Sequence, residues 1–237
     1  MKKTITIAHL YYDIMNLYGE SGNIKALKRF LAREGIEAKV YPLTIGDKID
    51  FKKYDFYYMG CGNDENEELV LEDLLQYKDD IKNAIEDEKM FLITGNATEL
   101  FGKKIRYRNG RSLKCLGIFE YQSCENERRA VSEVHYHYDK MQVGKGGNIF
   151  GFRNCKATII HNDDYRLFNF ASTIVYKNFY AMNFVGPFLI RNPYFTNMLI
   201  EKLCKQKNYE YKTIENTIEF KAYQKYYENF IVNSKLD

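Results

Sequence analysis

The sequence has no tryptophan, only three prolines and five cysteines, and it lacks long apolar runs. Each shortage excludes something. Cysteines 61, 115, 124, 155 and 204 are odd in number and form no close pair with metal-ligand spacing. Neither a disulfide framework nor a cysteine metal site is therefore expected, and reduced thiols in a cytoplasm are the simple reading. No window approaches the roughly 18 apolar residues of a membrane helix, so no membrane insertion is expected. The opening MKKTITIAHLYYDIMN carries two lysines, but Thr, His and Asp break its apolar run, so no secretory signal is expected. Charge of one sign is also scarce: 35 Lys+Arg stand against 32 Asp+Glu, a net +3, with the signs interspersed. The basic runs are as short as Lys103–Lys104 and Arg128–Arg129, too little for the stripe of a nucleic-acid binder. Without a linker, internal repeat or low-complexity segment, residues 1–237 are expected to form a single domain.

What is present is an ordinary globular composition, 45% hydrophobic and 28% charged over 237 residues. The 21 tyrosines suit half-buried positions. Thr4–Leu10 (TITIAHL) alternates as a strand. Ser21 is expected to cap the helix that follows, with Ile24, Leu27 and Leu31 on one face and Gly35 at its end. IEAKVYPL and Tyr54–Gly60 (YDFYYMG) read as strands, and Glu65 to Asp87 as one long helix. MFLIT (Met90–Thr94) is the fourth strand. This β-α-β-β-α-β order argues for a mainly parallel sheet covered on both faces.

After Gly102 shorter strands dominate. Asn109-Gly110 signals a hairpin. AVSEVHYHYD alternates, and VGKGGN is a Gly-rich turn too irregular for a phosphate loop. STIVYKNFYAMNFV holds two strands or one bent strand. Pro193 opens a helix that Asn192 is expected to cap. In the tail helix Ile214, Ile218, Ala222 and Tyr226 are the expected inward face.

Four stretches then carry a resemblance: LYGESGNIKALKRFLAREGI, YDFYYMGCGNDENEELV, ITGNATELFGKKI and YKNFYAMNFVGPFLIRNP. In order and spacing the chain resembles the class I glutamine amidotransferases of the cobyric-acid-synthase type, and within them the GatD-like subunits. The resemblance implies a three-layer, flavodoxin-like α/β fold. It implies acyl transfer from glutamine, in which a Cys at a strand–turn–helix elbow attacks the side-chain amide. The helix start and a nearby His keep that thiol ionised, and backbone N–H groups of an earlier Gly-rich turn hold the oxyanion. No cofactor or metal is expected. The implied partner is a Mur-ligase-like (MurT-type) synthetase acting in amidation of a peptidoglycan precursor.

The elbow of such proteins reads like ICGGYQLLG; here it reads TGNATELFG, which puts Gly95 in the Cys position. Their His motif reads like GTYLHGPLLPKNP; here it reads AMNFVGPFLIRNP, which puts Val185 in the His position. Gly186, Pro187, Asn192 and Pro193 all match. A degenerate catalytic pair, a pseudoenzyme, is therefore expected. Two alternatives stand beside it. Cys61 in GCGND is the fallback nucleophile of a still active amidotransferase. Alternatively, the old glutamine pocket binds glutamine or another small carboxylate without chemistry. By the resemblance, Arg128 would grip the carboxylate, and Gly60, Cys61, Gly62 and Asn96 would line the oxyanion and elbow turns. Thr94 and Thr98 read as capping or packing residues, and Cys155 as an ordinary thiol. Asp64 and Glu65 read as complements of a helix dipole. His135 and His137 share a strand face without a third metal ligand, and His161 is a strand-end residue.

Overall fold

Strand alternation builds the central layer of the computed structural model, which describes residues 2–137, 148–161, 173–213 and 215–233. Six strands, β1 (Thr4–Leu10), β2 (Glu37–Leu43), β3 (Phe56–Met59), β4 (Met90–Thr94), β9 (Thr173–Tyr176) and β10 (Phe179–Met182), stand in the order β2-β1-β3-β4-β10-β9. All pair in parallel except β9, which runs antiparallel to β10 at the edge. Successive side chains point to opposite faces. Phe56, Tyr58, Met90 and Leu92 therefore enter one apolar cluster, and Tyr57, Met59, Phe91 and Ile93 enter the other. The first cluster is covered by α1 (Ser21–Arg33), α4 (Phe188–Arg191), α5 (Pro193–Gln206) and α6 (Ile218–Asn233), the second by α2 (Asp64–Leu74) and α3 (Lys78–Glu86). This is the expected three-layer α/β arrangement, with strands β1 to β4 lying within the four stretches read as strands.

A second sheet, in the order β6-β5-β7-β8, lies beside it. It comprises β5 (Lys104–Arg106), β6 (Ser112–Lys114), β7 (Gln122–His137) and β8 (Asn148–Ile160). The hairpin at Asn109-Gly110 forms as predicted, with Gly110 at φ 87°. Antiparallel β7 and β8 lose register between Glu125 and Ala130. Ile149 of β8 joins one core cluster and Ile159 the other, so this ribbon reaches both layers.

Four expectations need correction. The helix expected over Glu65–Asp87 is broken by a 3₁₀ turn at Leu75–Tyr77; no Pro or Gly marks the break, so periodicity ran through it. Helix α1 begins at Ser21 itself, with Glu20 in the cap position and no side-chain cap bond, because the Glu20 carboxyl is engaged below the candidate site. Asn192 likewise makes no cap bond; its amide joins Phe150 N–H, Phe150 C=O and Phe188 C=O at 2.8–2.9 Å. In α6, Ile218 is 63% exposed, while Phe220 and Tyr223 are buried. Arg29 and Arg33 of α1 clasp Glu219 beside them at 2.6 and 2.7 Å. Ile214 and residues 143–147 of the Gly-rich turn lie outside the described residues.

Candidate active site

The site lies where ligands gather in open α/β sheets, at the carboxyl ends of the strands. Four chain segments meet there: the loop after β1 with Glu20, Gly60–Asn63 after β3, Gly95–Asn96 after β4, and Asn183–Gly186 after β10. Gly95, Cys61, Gly62, Asn96 and Val185 line one cavity of about 410 Å³.

At the elbow, Gly95 has φ 65°, a left-handed conformation that side chains adopt only under strain. That is the sharp turn on which α/β enzymes mount a nucleophile. The turn continues as a 3₁₀ segment, Gly95–Phe101, and not as the expected α-helix. Tyr121 Oη donates to the Thr98 carbonyl, which a continuing α-helix would offer to the N–H of Gly102; that N–H bonds Glu99 C=O instead, at 3.3 Å. A Cβ placed on Gly95 would lie 2.5 Å from Cys61 Cβ and 2.8 Å from Cys61 Sγ. The Cys61 side chain thus occupies the volume into which residue 95 would project.

Cys61 is 4% exposed, and its thiol donates to Gly62 C=O at 3.6 Å. Burial pushes this thiol up to about 12, with the nearby Glu20 and Glu67 acting the same way. It is a neutral thiol at physiological pH, and the thiolate is the nucleophilic form. The Gly62 N–H is engaged by Asn96 Oδ1 at 3.0 Å, and Asn96 Nδ2 donates to Glu67 Oε2 at 3.1 Å. Gly60 packs beneath the turn, where a Cβ would overlap Glu20 and the Met15 carbonyl.

Val185 is buried, and its N–H donates to Phe152 C=O at 2.9 Å. The neighbouring Gly186, at φ 80°, donates its N–H to Glu20 Oε1 at 2.6 Å. Glu20 Oε2 accepts from Tyr58 Oη and Thr94 Oγ1 at 2.7 and 2.8 Å. This fully buried carboxyl ties the turns after β1, β4 and β10 together, and burial raises its pKa against those three hydrogen bonds. Thr94 is thus a packing and hydrogen-bonding residue, as read.

Arg128 is exposed and is not among the lining residues; Arg129 is, with Nη1 on Asn154 C=O and Oδ1 at 3.3 and 3.2 Å. The register break between Glu125 and Ala130 defeats strand parity there. Asp64 and Glu65 line the mouth, Asp64 in an ion pair with Lys156 at 2.9 Å. Cys155 also lines the cavity. His135 stacks on Phe150 and bonds Asn148 through Nε2 at 2.8 Å. Among the described residues no group of three or more His, Cys, Asp or Glu could hold a metal ion, and no helix is long and apolar enough to cross a membrane.

Sequence reasoning missed Glu20, Glu67, Glu99 and Asn183, all buried at or below this site. No pattern marks them, because a carboxyl in a loop or on a helix reads as solvated until the chain folds over it.

The model of the CobB/CobQ-like glutamine amidotransferase domain matches residues 6–185. The chain belongs to that family. It is GatD-like. It is 29% identical over 232 residues to the lipid II isoglutaminyl synthase (glutamine-hydrolyzing) subunit GatD of Staphylococcus aureus, covering 93% of each chain. The similarly named GatD of Streptococcus pneumoniae is 26% identical over 216 residues, 86% of this chain and 82% of that one. A glutamine amidotransferase crystal structure shares the amidotransferase fold, with TM-score 0.54 and 15% identity over 83% of this chain and 98% of that chain.

Proposed function

We propose that this amidotransferase-family chain is the GatD-like subunit of a two-protein system that amidates lipid II in the cytoplasm. In this proposal residues 1–237 act as one domain, glutamine hydrolysis has been lost, and the partner is a Mur-ligase-like, MurT-type synthetase. The role in lipid II amidation is supported by GatD relatives covered over most of their length.

The loss of hydrolysis rests above all on one observation: the space for a side chain at residue 95 is filled by Cys61. Covalent catalysis needs a thiolate at the elbow and a base across from it. Gly95 offers none, and Val185, lining the same cavity, has no proton to exchange. The N–H of Gly62 in the Gly-rich turn is already bonded to Asn96. A relocated nucleophile at Cys61 is opposed by its burial and raised pKa. A carboxylate clamp by Arg128 is opposed by that residue's exposure outside the cavity.

The test is reconstitution with a MurT-type synthetase. A stable complex buries on the order of 1,200–2,000 Å² and should survive gel filtration. It should amidate lipid II with ammonium chloride and ATP, and not with glutamine and ATP. Glutamine-dependent amidation abolished by Cys61→Ser would overturn the loss of hydrolysis. Separate elution of the two proteins, with and without ATP, would overturn the partner.

A further inference from the structure

The cavity next to Gly95 also has an acidic character. Its floor carries two buried carboxyls, Glu67 from α2 and Glu99 from the 3₁₀ turn after β4, exposed by only 6% and 5%. Neither has an ion-pair partner within the described residues. Glu67 Oε2 accepts from Asn96, while Oε1 is buried with no hydrogen-bond partner. Asn183, 1% exposed and also lining the cavity, has both amide atoms buried and unpartnered. Such groups cost free energy unless they are paired.

The cationic residues of the lining do not supply the balance. Lys156 is shared between Asp64 at 2.9 Å and Glu125 at 3.1 Å, and Arg129 Nη1 turns to Asn154. The acids of the lining are Asp64, Glu65, Glu67, Glu99 and Glu125, so the cavity keeps an acidic excess. Burial raises the pKa of both Glu67 and Glu99; the charge of Glu99 adds to the rise at Glu67 and that of Asp64 to the rise at Glu99, where Ser123 and Lys156 oppose it. A bound cation is the element that lets such carboxyls ionise.

We infer that the cavity beside Gly95 is a binding site for a small organic primary ammonium, its –NH₃⁺ held by Glu67, Glu99 and the Asn183 carbonyl oxygen. An ammonium group carries three donors and no acceptor, which matches two carboxyls and one amide oxygen. The volume of about 410 Å³ far exceeds the share of one water-sized ion, about 30 Å³. It therefore favours an ammonium with a carbon chain over free ammonium. The inference is independent of glutamine hydrolysis and of the synthetase.

Isothermal titration calorimetry on the full chain tests it with n-butylammonium chloride, ammonium chloride and sodium butyrate. Butylammonium should bind at one per chain in the millimolar range or tighter, with butyrate and ammonium each weaker by roughly tenfold or more. Glu99→Gln, which keeps shape and removes the charge, should weaken butylammonium by about fivefold or more. Glu67→Gln should do likewise. If either variant fails to fold, the comparison of cation with anion on the unaltered protein still decides. Butyrate binding as tightly as butylammonium, no butylammonium binding at millimolar concentration, or an unchanged affinity in folded Glu99→Gln would each overturn the site. Ammonium binding as tightly as butylammonium would overturn its organic character.

Discussion

Restoring a thiol at the elbow, Gly95→Cys, should fail as a matter of packing before it fails as chemistry. The new Cβ meets Cys61 Cβ at 2.5 Å and Sγ at 2.8 Å. At φ 65° a non-glycine residue costs roughly 1–2 kcal/mol. Overfilling a packed site adds about 1–3 kcal/mol, so the single variant should lose about 2–5 kcal/mol. For a chain of this size that lowers Tm by roughly 5–15 °C. The overlap is removed only by deleting the Cβ of residue 61. In a double-mutant cycle, Cys61→Gly with Gly95→Cys should therefore show a favourable coupling of about 1–3 kcal/mol. Cys61→Ala removes the Sγ contact and keeps the shorter Cβ contact, so it should rescue less than Cys61→Gly. Urea denaturation of the four proteins in the cycle, with Cys61→Ala and Cys61→Ala/Gly95→Cys as a fifth and sixth, measures this. A coupling within about 0.5 kcal/mol of zero, or equal rescue by Ala and Gly, would refute the claim that Cys61 fills the place of the residue 95 side chain.

The purified chain should release no ammonia from glutamine above the uncatalysed rate in a coupled glutamate dehydrogenase assay, and neither Gly95→Cys nor Gly95→Cys/Val185→His alone should restore normal turnover. Iodoacetamide near pH 8 should label the half-buried Cys124 and Cys155 well before Cys61, whose thiol is pushed up to about 12 by burial; peptide mapping reads the order, and early modification of Cys61 would contradict its assignment as an inert thiol. Glu219→Gln should destabilise the chain by about 1–3 kcal/mol, because it leaves Arg33 partly buried without its partner. Burial alone would raise the Glu219 pKa, yet Arg33 and the local hydrogen bonds hold it below the usual carboxylate value. Its contribution is therefore present above the unfolded pKa of about 4.3 and lost as pH falls through the lower folded value; the stability gap to Glu219→Gln should close over that acid range in urea melts. Asn192→Ala should cost about 2–4 kcal/mol by leaving the buried polar groups of Phe150 unpaired, measured by thermal melting.

The strands of the central sheet were legible because period-two alternation and apolar runs are local properties, and Thr4–Leu10 and Met90–Thr94 fall where the pattern puts them. The sharp turn after β4 was legible too, since a glycine between a strand and a polar turn needs no distant information, and Gly95 stands there at φ 65°. What lay beyond the sequence is of another kind. Helix α6 turns Phe220 and Tyr223 inward and pairs Glu219 with Arg29 and Arg33 on α1, so its inward face differs from the four-residue count on its own residues. Arg129 lines the cavity and Arg128 does not because β7 and β8 slip out of register across from Lys156, and a slip moves side chains to the other face. Glu20, Glu67, Glu99 and Asn183 are polar letters that local pattern assigns to solvent; only the convergence of four strand ends buries them. Cys61 and Gly95 are 34 positions apart in the chain. That one fills the space of the other is set by β3 and β4 lying side by side in parallel, a pairing distance no local pattern encodes.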